Sequence, residues 1–124
     1  RINDSYGHAY GGEVLTTVAA VLEKTMRSQD VTARWGGEEF ILLLPETGVG
    51  EALALAERLR LAIEAIRLTC GEDVITVTAS LGVAARDAEH PSLDSLISTA
   101  DRFLYQSKAA GRNRISPQAE ASVA

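Results

Sequence analysis

Several things are scarce in this 124-residue chain, and each scarcity excludes something. Cysteine is nearly absent. Cys70 stands alone, which excludes an intrachain disulfide and fits a reducing compartment such as the cytoplasm. With no metal-binding motif around it, it reads as a small apolar residue. No apolar run approaches the ~20 residues of a membrane helix, so no membrane contact is expected from this segment. The opening RINDSYGH carries neither a charged n-region nor an apolar h-region, so no signal peptide is read there. Basic residues are outnumbered, 12 against 17 acidic, for a net charge of −5. That balance argues against binding a nucleic acid polymer, and a phosphate ligand would need local positive charge or a metal ion. Repeats and low-complexity linkers are absent too, and the length suits one domain with a real core.

What is present alternates between two periods. Val14, Leu15, Val18, Val21, Leu22 and Met26 fall at helical spacing and predict a helix over 12–28. VTARW at 31–35 and EFILLLP at 39–45 read as two strands of a hairpin joined through Gly36-Gly37. The second runs apolar without alternation, as in a strand covered on both faces. A second amphipathic helix is expected over 49–67, with Val49, Leu53, Ala56, Leu59, Ile63 and Ile66 as its stripe. Residues 74–84 alternate and place Ile75, Val77, Ala79, Leu81 and Val83 on one face of a strand, with a possible bend near Gly82. Ser92 is a candidate N-cap and Gly111 a candidate C-terminal cap for a third helix. Its buried side would be Leu93, Leu96, Ile97, Ala100, Phe103, Leu104 and Ser107. RNRIS, 112–116, closes as a short strand, and 117–124 read as a flexible tail. The order predicts an α/β fold, a mixed sheet flanked by helices with one antiparallel hairpin, over residues 1–116.

The chemistry gathers at RWGGEEF, 34–40. Neighbouring strand residues point to opposite faces, so Glu38 and Glu39 should not form a close carboxylate dyad. One carboxylate beside two glycines could hold a hard cation such as magnesium, which takes one or two carboxylates plus phosphates and water. A solvated acidic hairpin tip explains the same residues equally well.

The motifs settle that choice. RWGGEEF resembles the signature hairpin of the GGDEF family, the diguanylate cyclase domains, in its GGEEF form. NDSYGHAYG at 3–11, SLGVA at 80–84 and ADRFLYQSKAAGRNRI at 100–115 resemble further family blocks in the family's order. The resemblance implies an adenylyl-cyclase-like, ferredoxin-like fold. It implies condensation of two GTP molecules to cyclic di-GMP and two pyrophosphates by a homodimer, with magnesium or manganese. It also implies an upstream sensor or receiver domain in a bacterial cytoplasm.

Residue by residue, Glu38 matches the family's metal-binding acid and is implied to help activate the attacking hydroxyl. Glu39 matches a second acidic position of open role. Gly36 and Gly37 match the glycines over which the nucleotide lies, and Asn3 the residue that hydrogen-bonds guanine. Lys108 and Arg112 match the cations of the terminal phosphates. Four apart, they would share one face if both lie on a helix; a cation favoured by the helix dipole is the alternative for the pair. RSQD at 27–30 lies five residues before Gly36 and matches the product-inhibition site, with Arg27 and Asp30 contacting cyclic di-GMP and Arg58 matching an arginine supplied by a neighbouring domain. Alone, such a motif would be a surface ion pair.

Two departures stand out. Gly12 occupies a position where the family has an aspartate hydrogen-bonded to guanine. Loss of that bond, ordinarily about 1.5–3 kcal/mol, is expected to weaken discrimination of guanine from adenine or to mark an inactive domain. The family's first strand, with its metal aspartate and a phosphate-binding lysine, would precede Arg1. The chain therefore reads as part of a longer protein, and these 124 residues are not expected to catalyse alone. A degenerate domain that binds cyclic di-GMP or GTP, and a purely structural dimerisation domain, are the competing readings.

Overall fold

A computed structural model describes residues 8–34, 39–85 and 92–117. Helix α1, His8–Thr25, is followed by strands β1, Val31–Arg34, and β2, Phe40–Leu43. Helix α2, Val49–Glu64, leads to a hairpin of β3, Leu68–Cys70, and β4, Asp73–Ile75. Strand β5, Leu81–Gly82, helix α3, Leu93–Ala109, and strand β6, Ile115–Ser116, complete the order.

The α/β class is as expected, but among the described residues the strands form three separate pairs. β1 and β2 are antiparallel, with Arg34 opposite Phe40. β3 and β4 are antiparallel, with Cys70 opposite Asp73. β5 and β6 are parallel, with Leu81 opposite Ile115.

The β3–β4 hairpin is a correction to the expected sequence of elements. Helix α2 stops at Glu64, and Ala65 caps it, its N–H reaching the Leu61 carbonyl. Arg67 Nη1 then donates to the carbonyls of Glu64 and Ile66, each 2.9 Å away. The chain can therefore extend from Leu68, and Gly71, at φ +65, opens the two-residue turn back into β4. The expected strand over 74–84 divides accordingly. Its alternation survives the division, because Ile75, Val77 and Ala79 are all buried, whereas Leu81 and Val83 are half-buried.

The core lies between α1, α2 and this alternating segment. Val14, Val18 and Leu22 of α1 meet Leu55, Leu59 and Ile63 of α2, with Ile66, Ile75, Val77 and Ala79 beneath them. Apart from Leu55, which the expected stripe on α2 left out, these are residues the helical and twofold periods select, whereas Val49 of that stripe is exposed. Helix α1 begins four residues ahead of the expected Gly12, so Gly11 and Gly12 are helical despite their poor propensity; packing of the following turns outweighs it.

Two expected stripes are less covered than predicted. β2 is half-buried along its length rather than enclosed, and its partner β1 is exposed at every residue. On α3 only Thr99 and Ser107 are fully buried, and Leu93 is exposed. This helix packs against the narrow β5–β6 pair, which covers only a strip of its apolar side.

That contact is close. A Cβ on Gly82 would lie 2.0 Å from the Ala100 carbonyl oxygen and 2.3 Å from the Leu104 nitrogen. Ser107, fully enclosed, places its Oγ 2.8 Å from the Leu81 carbonyl and 2.8 Å from Ser116 Oγ. One hydroxyl carries one proton, so Ser107 donates to the carbonyl and accepts from Ser116. The third helix is thus registered on β5 and β6 by a glycine and a serine. Its start is fixed by Ser92, whose hydroxyl accepts the Ser95 N–H at 3.1 Å, as a serine N-cap should.

Candidate functional site

The end of α3 builds one half of the site. Gly111, at φ +124, donates to the Lys108 carbonyl, and the Arg112 N–H donates to the Ser107 carbonyl at 2.9 Å. This pair of reversed bonds is a Schellman termination, and it confirms the expected glycine cap. It also corrects a prediction. Arg112 lies beyond the helix at φ 66, so Lys108 and Arg112 are not neighbours on one helical face. Their spacing of four arises from a helix end and a left-handed turn.

Lys108, in the last turn of α3, reaches the hairpin. Its Nζ is 3.6 Å from Glu39 Oε1, and its side chain is 17 % exposed. Two residues singled out from separate motifs, 69 positions apart, therefore meet. Arg112 is exposed, and its guanidinium has no hydrogen-bond or ion-pair partner among the described residues. Trp35, Gly36, Gly37 and Glu38 lie outside the described residues, as does Asn3, so their expected roles stand on the motif alone.

The turn that carries Arg112 is fastened to α2. Asn113, also left-handed at φ 46, accepts from Arg60 Nη1 at 3.0 Å and donates its amide to Glu64 Oε2. Its backbone N–H donates to the buried Ser80 hydroxyl at 3.2 Å. Arg60 is held from its other edge by Glu57, with Nε–Oε1 2.7 Å and Nη2–Oε2 2.8 Å. This bidentate bond pulls the Glu57 carboxyl below the usual range and raises Arg60 further. Sequence reasoning missed this network; GRN contains Asn113 but gives no hint that it crosses 49 positions to Glu64.

Gly12 lies on α1 beside a shallow depression of about 320 Å³ lined with Glu13, Thr16, Thr17 and Leu68. A Cβ at Gly12 would meet nothing within 4 Å among the described residues, so none of them requires the glycine for packing.

The RSQD motif forms a closed unit. Arg27 Nη2 and Nε hold Asp30 Oδ1 and Oδ2 at 2.8 and 3.0 Å, and the Arg27 backbone N–H donates to Oδ2 at 2.8 Å. The guanidinium hydrogen bonds hold the Asp30 carboxyl below its ordinary value. Arg27 Nη2 also donates to Thr47 Oγ1, whose own proton goes to the Pro45 carbonyl. Thr47 has no sequence signal linking it to Arg27. Arg58 is exposed on α2.

Carboxylates at the hairpin are donors of the kind magnesium takes. Among the described residues no group of three or more His, Cys, Asp or Glu gathers, so any such ion would draw its further ligands from elsewhere, as magnesium does from phosphates and water. No helix among the described residues is long and apolar enough to cross a membrane.

The chain matches the sequence model described as diguanylate cyclase, GGDEF domain, over residues 1–114. It is 43% identical over 115 residues to diguanylate cyclase A of Treponema denticola, covering 93% of this chain and 31% of that protein. It is 39% identical over 117 residues to the response regulator PleD of Caulobacter vibrioides, covering 93% of this chain and 26% of that one. The chain thus spans less than a third of the length of these curated relatives. Among solved structures, the GGDEF domain of DgcB from Caulobacter crescentus in complex with c-di-GMP superposes with TM-score 0.83 at 32% identity, covering 91% of this chain and 67% of that one. The active GGEEF domain of a diguanylate cyclase from Vibrio cholerae gives TM-score 0.79 at 31% identity, covering 91% and 71%. Sequence and architecture agree, and the chain belongs to the GGDEF family of diguanylate cyclase domains.

Proposed function

We propose that this domain, spanning residues 1–116 and acting as a homodimer within a longer cytoplasmic signalling protein, condenses two GTP molecules into cyclic di-GMP with release of two pyrophosphates. The observation that carries this reading is the meeting of Lys108 with Glu39 of the GGEEF hairpin, with the exposed Arg112 on the adjoining turn. Terminal phosphates need donors and positive charge, and phosphoryl transfer depends on positioning and charge stabilisation. Lys108 and Arg112 supply these to the phosphates. Gly36 and Gly37 give the nucleotide room against the backbone, and Asn3 reads guanine. Glu38 holds the magnesium or manganese and helps activate the attacking 3′-hydroxyl, and Glu39, the second acid of the motif, pairs with Lys108. The metal supplies neutralisation of phosphate charge when bound.

Product feeds back through Arg27 and Asp30, with Arg58 contributed across a neighbouring domain. Support for this comes from the motif's offset from GGEEF and from the Arg27 side chain, which is 39 % exposed. An upstream sensor or receiver domain sets the dimeric state.

A second reading is favoured by one residue. Gly12, in place of an acidic guanine partner, suits a domain that holds cyclic di-GMP or GTP without turnover. Incubating the full-length protein with magnesium and an equal mixture of GTP and ATP, then weighing the products, separates the two. Cyclic di-GMP, alone or with an adenine-containing dinucleotide, is expected. Its absence from dimeric protein stripped of bound product would establish the binding module.

A further inference from the structure

Arg112 reaches solvent from an unusual backbone. It and Asn113 are consecutive non-glycine residues in the left-handed region, at φ 66 and φ 46. L-residues avoid this region because Cβ crowds the following carbonyl; asparagine is among the few that visit it. Two such residues in a row persist only where surroundings over-determine them. Here the surroundings are specific. The Asn113 carboxamide lies between a donor, Arg60, and an acceptor, Glu64, both on α2. That pairing fixes which end of the amide faces which partner. Ser80 takes the backbone N–H, and the Arg114 carbonyl accepts the Leu81 N–H at 3.0 Å. On the other side, the Schellman bonds hold Gly111 and Arg112 to α3. Among the described residues neither Arg60 nor Glu64 bonds to Arg112 itself; each reaches it through Asn113.

We infer that Asn113 is a positioning residue for nucleotide binding: its side-chain clamp between Arg60 and Glu64 holds the left-handed turn that aims Arg112 at the terminal phosphates. This rests on the reading of Arg112 as a phosphate ligand given above. A cation held in place in advance loses little freedom on binding, so the clamp adds affinity without touching the ligand.

The test uses the full-length protein and a GTP analogue with a methylene bridge between its α- and β-phosphates, which binds but cannot release pyrophosphate. Asn113→Gly keeps access to the left-handed backbone while deleting the clamp. It is expected to weaken analogue binding about 5- to 10-fold and to raise the KM for GTP more than it lowers kcat. In an Arg112→Ala background the same change is expected to add less than 2-fold, because the clamp then has no cation to aim. Glu64→Ala, on a half-exposed helix position, should give a smaller loss of about 2- to 4-fold and does not depend on Asn113→Gly folding. Equal losses from Asn113→Gly with and without Arg112 would overturn the inference, and so would unchanged binding in both Asn113→Gly and Glu64→Ala. If Arg112→Ala alone leaves binding unchanged, the phosphate assignment of Arg112 fails and the inference falls with it. If Arg112→Ala weakens binding and the clamp variants do not, only the inference fails.

Discussion

Lys108 Nζ lies 3.6 Å from Glu39 Oε1, joining the last turn of α3 to the residue that precedes β2. The ammonium is mostly covered yet keeps two further donors, so it can serve the carboxylate and a phosphate together. Lys108→Ala should raise the KM for GTP by roughly 10- to 100-fold, the equivalent of one charged hydrogen bond of about 1.5–3 kcal/mol. Steady-state kinetics on the full-length protein check this, and Lys108→Arg is expected to restore part of the loss.

Gly12→Asp should be accommodated, since the added Cβ meets nothing within 4 Å among the described residues. Restoring the acid should raise the GTP-to-ATP preference by roughly 10- to 100-fold if it accepts one charge-assisted hydrogen bond from guanine. Competition of the two nucleotides for product formation measures it. An unchanged ratio would mean that base choice rests on other residues.

Gly82→Ala should destabilise the domain by about 2–4 kcal/mol, because its Cβ would enter the backbone of α3 at Ala100 and Leu104, where no side chain can rotate aside. Thermal unfolding followed by circular dichroism is the readout. A loss below about 0.5 kcal/mol would show that α3 rides higher on β5 than described here.

Asp30 should titrate below the ordinary aspartate value, chiefly through the guanidinium hydrogen bonds of Arg27. A carboxyl depressed in the folded state stabilises it fully above the unfolded value near pH 3.9, and that contribution fades as pH falls through the lower folded value. Carboxyl NMR should find the Asp30 midpoint lowered, and Arg27→Ala should move it up. A midpoint indifferent to Arg27 would contradict the paired geometry.

Legibility in the sequence followed the physics of each segment. Core positions on α1 and α2 and the run Ile75, Val77, Ala79 were readable because burial imposes a period. Ser92 and Gly111 were readable because capping is local chemistry. The β3–β4 hairpin was not, since a three-residue strand abutting an amphipathic helix carries too short a pattern; Gly71-Glu72 was its only mark. Lys108 and Glu39 were each legible from motifs, but their contact is tertiary. Arg60, Thr47 and Asn113 stayed hidden because long-range hydrogen bonds between polar residues leave no periodic trace.

Arg27 is engaged before any ligand arrives: Asp30 grips one edge of its guanidinium and Thr47 takes a further N–H. An incoming molecule that wants that cation competes with an internal latch. Its apparent affinity is the intrinsic one scaled by the fraction of molecules whose latch is open. If product binds at Arg27 as proposed, the dose at which the site responds is tunable from Thr47, twenty positions away on the loop after β2. A change there would shift the threshold of a response while leaving every atom of the RSQD motif in place.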